Sequence, residues 1–356
     1  MYTDSWDLVD DMDLKIYENI KSRWDSISKP IDGLGDFEDV ICKIGAVQGT
    51  VEPDIENKAL VIMCADNGIV KEGVSQCGPE VTLQVARALG SGHSTASVMA
   101  REAGIKCIPV DIGIDHEGKI PGVIDHKIRR GSSDFLLERA LNADEVRDAV
   151  DTGIRMAGQL ASEGHKLIAA GEMGIGNTTT ATALLCLMTG ADPKLVTGRG
   201  AGLDDASLIK KTEVIRKAYE LYARADTDDK AVLAYDYLGA TGGLDIAGLC
   251  GIYLGGQRYG IPIVIDGLVS GVAGLLADAI SPGCRDYMIP SHSGRETGLM
   301  RVLDELELKP LICGNMALGE GTGAIMVCKL LDSALNLYRS GARFEENGIK
   351  EYERFI

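Results

Sequence analysis

The sequence is short of basic charge: 36 Lys and Arg stand against 53 Asp and Glu, a formal net charge of −17 over 356 residues. An acidic surface repels a phosphate backbone, which excludes nucleic acid as a partner but leaves room for a local basic pocket holding one phosphate. No run of about eighteen apolar residues occurs, so no membrane-spanning helix is expected. The opening stretch, from Met1 to Leu14, is acidic and lacks the basic-then-apolar order of a secretory leader, and a cytoplasmic location follows. The nine cysteines never form C-x-x-C, which fits reduced, buried thiols better than a disulfide framework or a zinc site. The five histidines include no i,i+4 pair, so a zincin-type metal site is not expected. Ser75 and Ser293 lack the G-x-S-x-G frame of a serine hydrolase. Neither a metal nor an organic cofactor is called for.

What the chain does have is 45% hydrophobic residues and 44 glycines, and the glycines cluster after short apolar runs. Leu60–Ala65 leads to Asp66-Asn67-Gly68, Cys107–Val110 to Asp111-Ile112-Gly113, and Leu167–Ala170 to Gly171-Glu172. Ile261–Ile265 leads to Asp266-Gly267, Tyr287–Pro290 to Ser291-His292, and Pro310–Cys313 to Gly314-Asn315. Continuous rather than alternating apolar runs are what strands buried on both faces require. Helical patterns lie between them. Asn142-Ala143-Asp144-Glu145 reads as a helix start, after which Val146, Val150, Ile154, Ala157 and Leu160 mark one face. This alternation predicts an α/β, Rossmann-like, mostly parallel sheet with helices on both faces. Ligands in such sheets bind beyond the carboxyl ends of the strands.

The two ends of the chain are poorer in glycine and richer in charge and aromatics, including Trp6, Tyr17, Trp24, Tyr338, Phe344, Tyr352 and Phe355. Residues 1–50 together with 335–356 are therefore expected to form a small helical domain beside a large α/β domain of residues 51–334.

The sharpest local motif is Gly171-Glu172-Met173-Gly174-Ile175-Gly176-Asn177-Thr178-Thr179, between an expected strand and an apolar helical stretch from Ala181 to Met188. Its spacing is that of a P-loop with Asn177 where the lysine belongs. Glycines let several backbone amides converge on one anion, and the helix amino terminus adds partial positive charge. A triphosphate needs the lysine, so a monophosphate ester is the expected guest and a nucleoside-phosphate kinase is disfavoured. Downstream, Arg199 or Lys210-Lys211 could close on the phosphate or lie on a solvated helix face. The second motif, Leu318-Gly319-Glu320-Gly321-Thr322-Gly323, sets a carboxylate on bare backbone at a helix start, which suits a general base. Asp66, Asp111 and Asp266 end strands and could hold a ribose hydroxyl or cap helices. Gly242 and Gly243 could add backbone donors, and His292 near Glu296 reads as structural.

Together these stretches resemble the nicotinate-nucleotide–dimethylbenzimidazole phosphoribosyltransferases, from Lys29–Gly35 through Ala65–Ser75, Lys127–Phe135, Gly171–Thr179 and Gly198–Asp205 to Leu318–Ala324. The resemblance implies transfer of phosphoribose from nicotinate mononucleotide to an aromatic base, with inversion at the anomeric carbon, in cobamide assembly. It implies Glu320 as the base. It places Glu172, Met173, Gly174, Ile175, Gly176, Asn177, Thr178, Lys211, Gly242 and Gly243 around phosphate and ribose, and Ser75, Gln84, Leu318 and Gly319 around the acceptor. It also implies a homodimer, or a heterodimer with a paralogue. The alternatives are transfer to a phenolic or purine acceptor and a non-catalytic nucleotide-binding paralogue. Several positions depart from the family pattern, among them Asn67, Gly294, Leu299 and Cys313–Ala317, and Cys77-Gly78 alters the acceptor wall that the resemblance implies.

Overall fold

Five of the six apolar runs become strands of one parallel sheet. A computed structural model describes residues 13–224 and 226–354; Trp6 and Phe355 lie outside the described residues. The strands are β1 (Lys58–Ala65), β2 (Lys106–Gly113), β3 (Ile124–Asp125), β4 (Leu167–Met173), β5 (Ile263–Ile265) and β6 (Met288–Pro290), in the order β3-β2-β1-β4-β5-β6. All neighbours pair in parallel. This is the doubly wound order in which the winding reverses between the first and fourth strands, and the crevice at that reversal is where such sheets bind ligands. The sixth run behaves differently. It forms β8 (Ile312–Met316), which pairs with β7 (His292–Gly294) outside the main sheet, and Cys313 is exposed rather than buried.

The unbroken apolar run of β1 follows from its central place. Ala59, Val61, Met63 and Ala65 face one hydrophobic cluster, while Leu60, Ile62 and Cys64 face another. On the first side lie helices Ala143–Ser162 and Leu244–Tyr259. The former starts with the expected capping box, in which Asn142 accepts from the Glu145 amide and Glu145 accepts from the Asn142 amide. These two helices approach backbone to backbone. A Cβ on Gly153 would stand 2.1 Å from the Gly248 carbonyl oxygen, and one on Gly251 would stand 2.0 Å from that of Val150.

The second side is covered by helices Leu14–Asp25, Asp36–Gln48, Thr95–Glu102 and Thr322–Ser340. Trp24 and Tyr338 meet there at 5.2 Å between ring centroids. Residues from both ends of the chain thus share a cluster with Leu60, Ile62 and Ile289 of the sheet. No helix among the described residues is long and apolar enough to cross a membrane.

Candidate active site

Beyond the carboxyl ends of β4 and β5 the chain leaves a cleft of about 270 Å³. Its lining comes from the turn after β4 (Glu172–Ile175, Asn177, Thr178), the turn after β5 (Asp266–Val269), His292 and Gly294 of β7, and Met316–Glu320 after β8, with Gly200 and Glu296 completing the wall. The two motifs that stood out in the sequence therefore face one another across one space, although 148 positions separate Glu172 from Glu320 (320 − 172).

The turn after β4 delivers the amino end of helix Asn177–Thr189 to this cleft, entering through Gly176 at φ +94°. That conformation favours glycine, and a Cβ there would also meet Val70 at 2.7 Å. Several of the loop's amides are used internally: Ile175 N donates to Thr82 Oγ1 at 3.1 Å, Asn177 N to Gly174 O, and Thr179 N to Gly176 O. Of the three successive threonines near the start of that helix, only Thr178 belongs to the cleft lining, because Thr180 Oγ1 donates inward to Asn67 Oδ1 and Thr179 is buried.

Of the basic candidates, Lys211 is a buried residue of helix Asp205–Tyr222 that stands behind the cleft lining, where its Nζ donates to Thr178 Oγ1 at 2.8 Å. Burial pushes its pKa down to about 8, with Glu296 pulling it back. Glu296 accepts from the Gly200 amide at 2.9 Å. Arg199, the other candidate, turns away to pair with Asp205 and the Leu203 carbonyl, and Lys210 is exposed.

Glu320 is held in a left-handed conformation, φ +56°, between Gly319 and Gly321. Its carboxyl is pushed up by burial, drawn partly back by the backbone amide of Ala96, and pushed further by Asp266. Asp266 settles its own ambiguity. Its Oδ1 accepts from the amides of Gly323 (2.7 Å) and Ala324 (3.1 Å), and its Oδ2 from that of Gly321 (3.2 Å), so it caps the helix that follows Glu320. It thereby anchors the loop carrying Glu320 to the end of β5. His292, set aside in the sequence as structural, stands on the cleft wall. The Ser291 hydroxyl donates to Asp266 O at 2.9 Å and so accepts from His292 Nδ1 at 2.8 Å, which leaves Nε2 as the unprotonated nitrogen. No sequence signal marked Glu296, His292 or Gly200 as lining residues, because they reach the cleft only through packing.

Comparison with known proteins agrees with this architecture. A phosphoribosyltransferase family model matches residues 9–349. A nicotinate-nucleotide–dimethylbenzimidazole phosphoribosyltransferase of Clostridium acetobutylicum is 38% identical over 345 residues, 97% of each chain, and one of Ruminiclostridium cellulolyticum is 36% identical over the same span. The chain belongs to this family. Among solved structures, CobT from Thermus thermophilus superposes with a TM-score of 0.89 at 33% identity, over 95% of this chain and all of that one.

The remaining residues that the family resemblance pointed to are spread more widely. Met173, Gly174, Ile175, Leu318 and Gly319 line the cleft with Glu172 and Glu320. Gly242 and Gly243 do not line it. The Gly242 amide is spent on the Leu238 carbonyl, and Gly243 begins helix Leu244–Tyr259, packed against Asn67 and Asp245. Ser75 lines a second, wider cleft of about 730 Å³ beyond β1 and β2, together with Cys77, Gly78, Arg129 and Arg130. Gln84 is an exposed residue of helix Glu80–Gly90. Asp111 pairs with Lys127 at 3.1 Å, and Asp66 accepts from the Asp115 amide at 2.8 Å.

Proposed function

We propose that this family member transfers phosphoribose from nicotinate mononucleotide to 5,6-dimethylbenzimidazole or a similar base. The products are an α-ribazole 5′-phosphate type nucleotide and nicotinate, for cobamide assembly. The observation that carries the reading is that one cleft brings a threonine hydroxyl, backed by a buried lysine, opposite a partly buried carboxylate on a glycine loop. The phosphate is held at Lys211, Thr178 and the amino end of helix Asn177–Thr189, where charge and helix dipole act together. That anchorage fixes the ribose toward Glu320.

The chemistry then needs little else. The bond from the anomeric carbon to the nicotinate nitrogen breaks, and the ring departs with the bonding electrons as a neutral pyridine, so no acid is required. The bond to the incoming ring nitrogen forms on the opposite face, and Glu320 takes the proton that the incoming ring must lose. A carboxylate raised by burial is a better base than a solvated one. Ser75, Gln84, Leu318 and Gly319 are assigned to the acceptor side; Ser75 reaches it only if the two clefts join across the Asn67–Val70 turn when ligand binds, and Gln84 lines neither cleft. A cytoplasmic enzyme, dimeric with itself or a paralogue, with residues 1–50 and 335–356 as a terminal helical unit, completes the proposal.

Replacing Lys211 by methionine tests the phosphate end. The KM for nicotinate mononucleotide should rise at least a hundredfold, by steady-state kinetics, while the melting temperature of the ligand-free protein rises because a buried cation is gone. The sign is fixed by the depressed pKa. Between about 8 and 10.5 the native protein holds fewer protons than the unfolded chain, so ligand-free stability climbs with pH across that window. The methionine variant should lack that slope. Crystals soaked with the mononucleotide should place its phosphate on Lys211 Nζ and Thr178 Oγ1, and a phosphate seated elsewhere overturns the reading.

A further inference from the structure

Behind the cleft lies a buried polar network that the transfer reaction, as derived above, does not use. Asp245, in the first turn of helix Leu244–Tyr259, is completely buried and does not line the cleft. Its Oδ2 accepts from Asn177 Nδ2 and from Asn67 Nδ2, each at 3.3 Å, and its Oδ1 from the Ile246 amide at 3.0 Å. Asn67 is fixed in that orientation because its Oδ1 accepts from Thr180 Oγ1 at 2.9 Å. Asn177 Nδ2 also donates to Glu172 Oε2. One amide nitrogen thus bridges two carboxyl groups, and the residue that stands in the lysine position of a P-loop serves this bridge.

The charges that act on Glu172 are acidic, while the basic groups nearby are engaged elsewhere, Lys211 on Thr178 and His292 on Ser291 and Asp266. Glu172 faces Asp245, Asp266 and Glu320, all acidic, and the amides that join the pair are neutral. A fully buried and a half-buried carboxyl held this close cannot both ionise cheaply, so one of them keeps its proton. Burial and its acidic neighbours push Glu172 up to about 8, while Asp245, which accepts three hydrogen bonds, is pushed only to about 6. The proton therefore resides on Glu172. Its Oε2 already accepts from Asn177, so the proton sits on Oε1, the oxygen that a Cβ on cleft-lining Gly319 would approach at 3.0 Å.

We propose that Asp245 is a positioning residue: through Asn177 it holds Glu172 so that Oε1 faces the cleft beside Gly319 as a hydrogen-bond donor. A neutral carboxyl in a buried site can donate to a ligand oxygen where an ionised one would repel it. The fitting partner is an electron-rich oxygen on the ribose or on the departing ring's carboxylate. The identity of that partner rests on the proposed function; the donor state does not.

The test is therefore made first on ligand-free protein. Infrared difference spectra at pH 7 should show a protonated-carboxyl band that vanishes in Glu172→Gln. In Asp245→Asn the midpoint of that band should fall by at least one pH unit, because the repelling charge is gone. In Asn177→Ser it should rise, because a donor to the ionised form is gone. A wild-type protein without the band, or a midpoint unmoved in both variants, overturns the proposal, and either variant alone suffices if the other does not fold. Kinetics add a second reading. In Asp245→Asn the KM for nicotinate mononucleotide should rise about fivefold or more at pH 8, where wild-type Glu172 is half protonated, and stay near wild type at pH 5.5, where Glu172 is protonated in both. An equal rise at both pH values marks a merely structural role and counts against it. Should the wild-type enzyme prove inactive on the mononucleotide, the proposed function fails while the infrared result still stands or falls by itself.

Discussion

Glutamine in place of Glu320 is expected to leave the protein folded and to cut turnover by roughly two to four orders of magnitude, the usual worth of one positioned base. The substitution keeps the shape and the ability to accept from the Ala96 amide, and removes only the capacity to take up a proton. Glycine at the same position sharpens the result. Glu320 adopts φ +56°, which costs a non-glycine residue about 1 kcal/mol. Glu320→Gly should therefore melt no lower than wild type while losing the same activity. Loss of activity without loss of stability separates a functional carboxylate from one that merely stabilises its own helix; a glutamine variant with wild-type turnover removes Glu320 as the base.

The second large effect comes from a residue that lines no cleft. Gly171 sits inside β4, and a Cβ there would stand 2.9 Å from the carbonyl carbon of Glu320 and 3.0 Å from Gly321 N. Both neighbours are backbone, so alanine cannot be accommodated by a rotamer change and must push the Glu320 loop away from the sheet. Misplacement of a catalytic group by about 1 Å costs roughly a hundredfold in rate. Gly171→Ala is accordingly expected to lower kcat at least a hundredfold, measured by nicotinate release, with circular dichroism unchanged. An alanine variant at wild-type rate would mean that the Glu320 loop is not held by contact with β4.

These two predictions mark what could be read in the sequence and what could not. The parallel sheet was legible because strands buried on both faces must be continuously apolar, and β1, β4, β5 and β6 all obey that rule. β3 was not, since two residues leave no pattern, and the run ending at Cys313 misled because apolar content alone does not distinguish a central strand from a short exposed one. That the glycine turn after β4 and the Glu320 loop belong to a cleft was legible because glycines at fixed spacing around a strand end have few other uses. What the glycine at 171 is for, and that Asn177 turns its amide toward the carboxyls of Glu172 and buried Asp245, depend on neighbours more than sixty positions away, such as Asp245 and Glu320. For Lys211, spacing offered Arg199, Lys210 and Lys211 equally and the family resemblance named Lys211; that it alone of the three is buried, on the inner face of helix Asp205–Tyr222, shows only in the structure.

The most direct measurement mixes the purified protein with nicotinate mononucleotide and a panel of 5,6-dimethylbenzimidazole, other benzimidazoles, adenine and phenols, and identifies the products by mass. The account predicts free nicotinate in step with a base–ribose phosphate conjugate from a benzimidazole, and neither product when Glu320 is glutamine. A mononucleotide that survives intact with every base, although it binds, would contradict it.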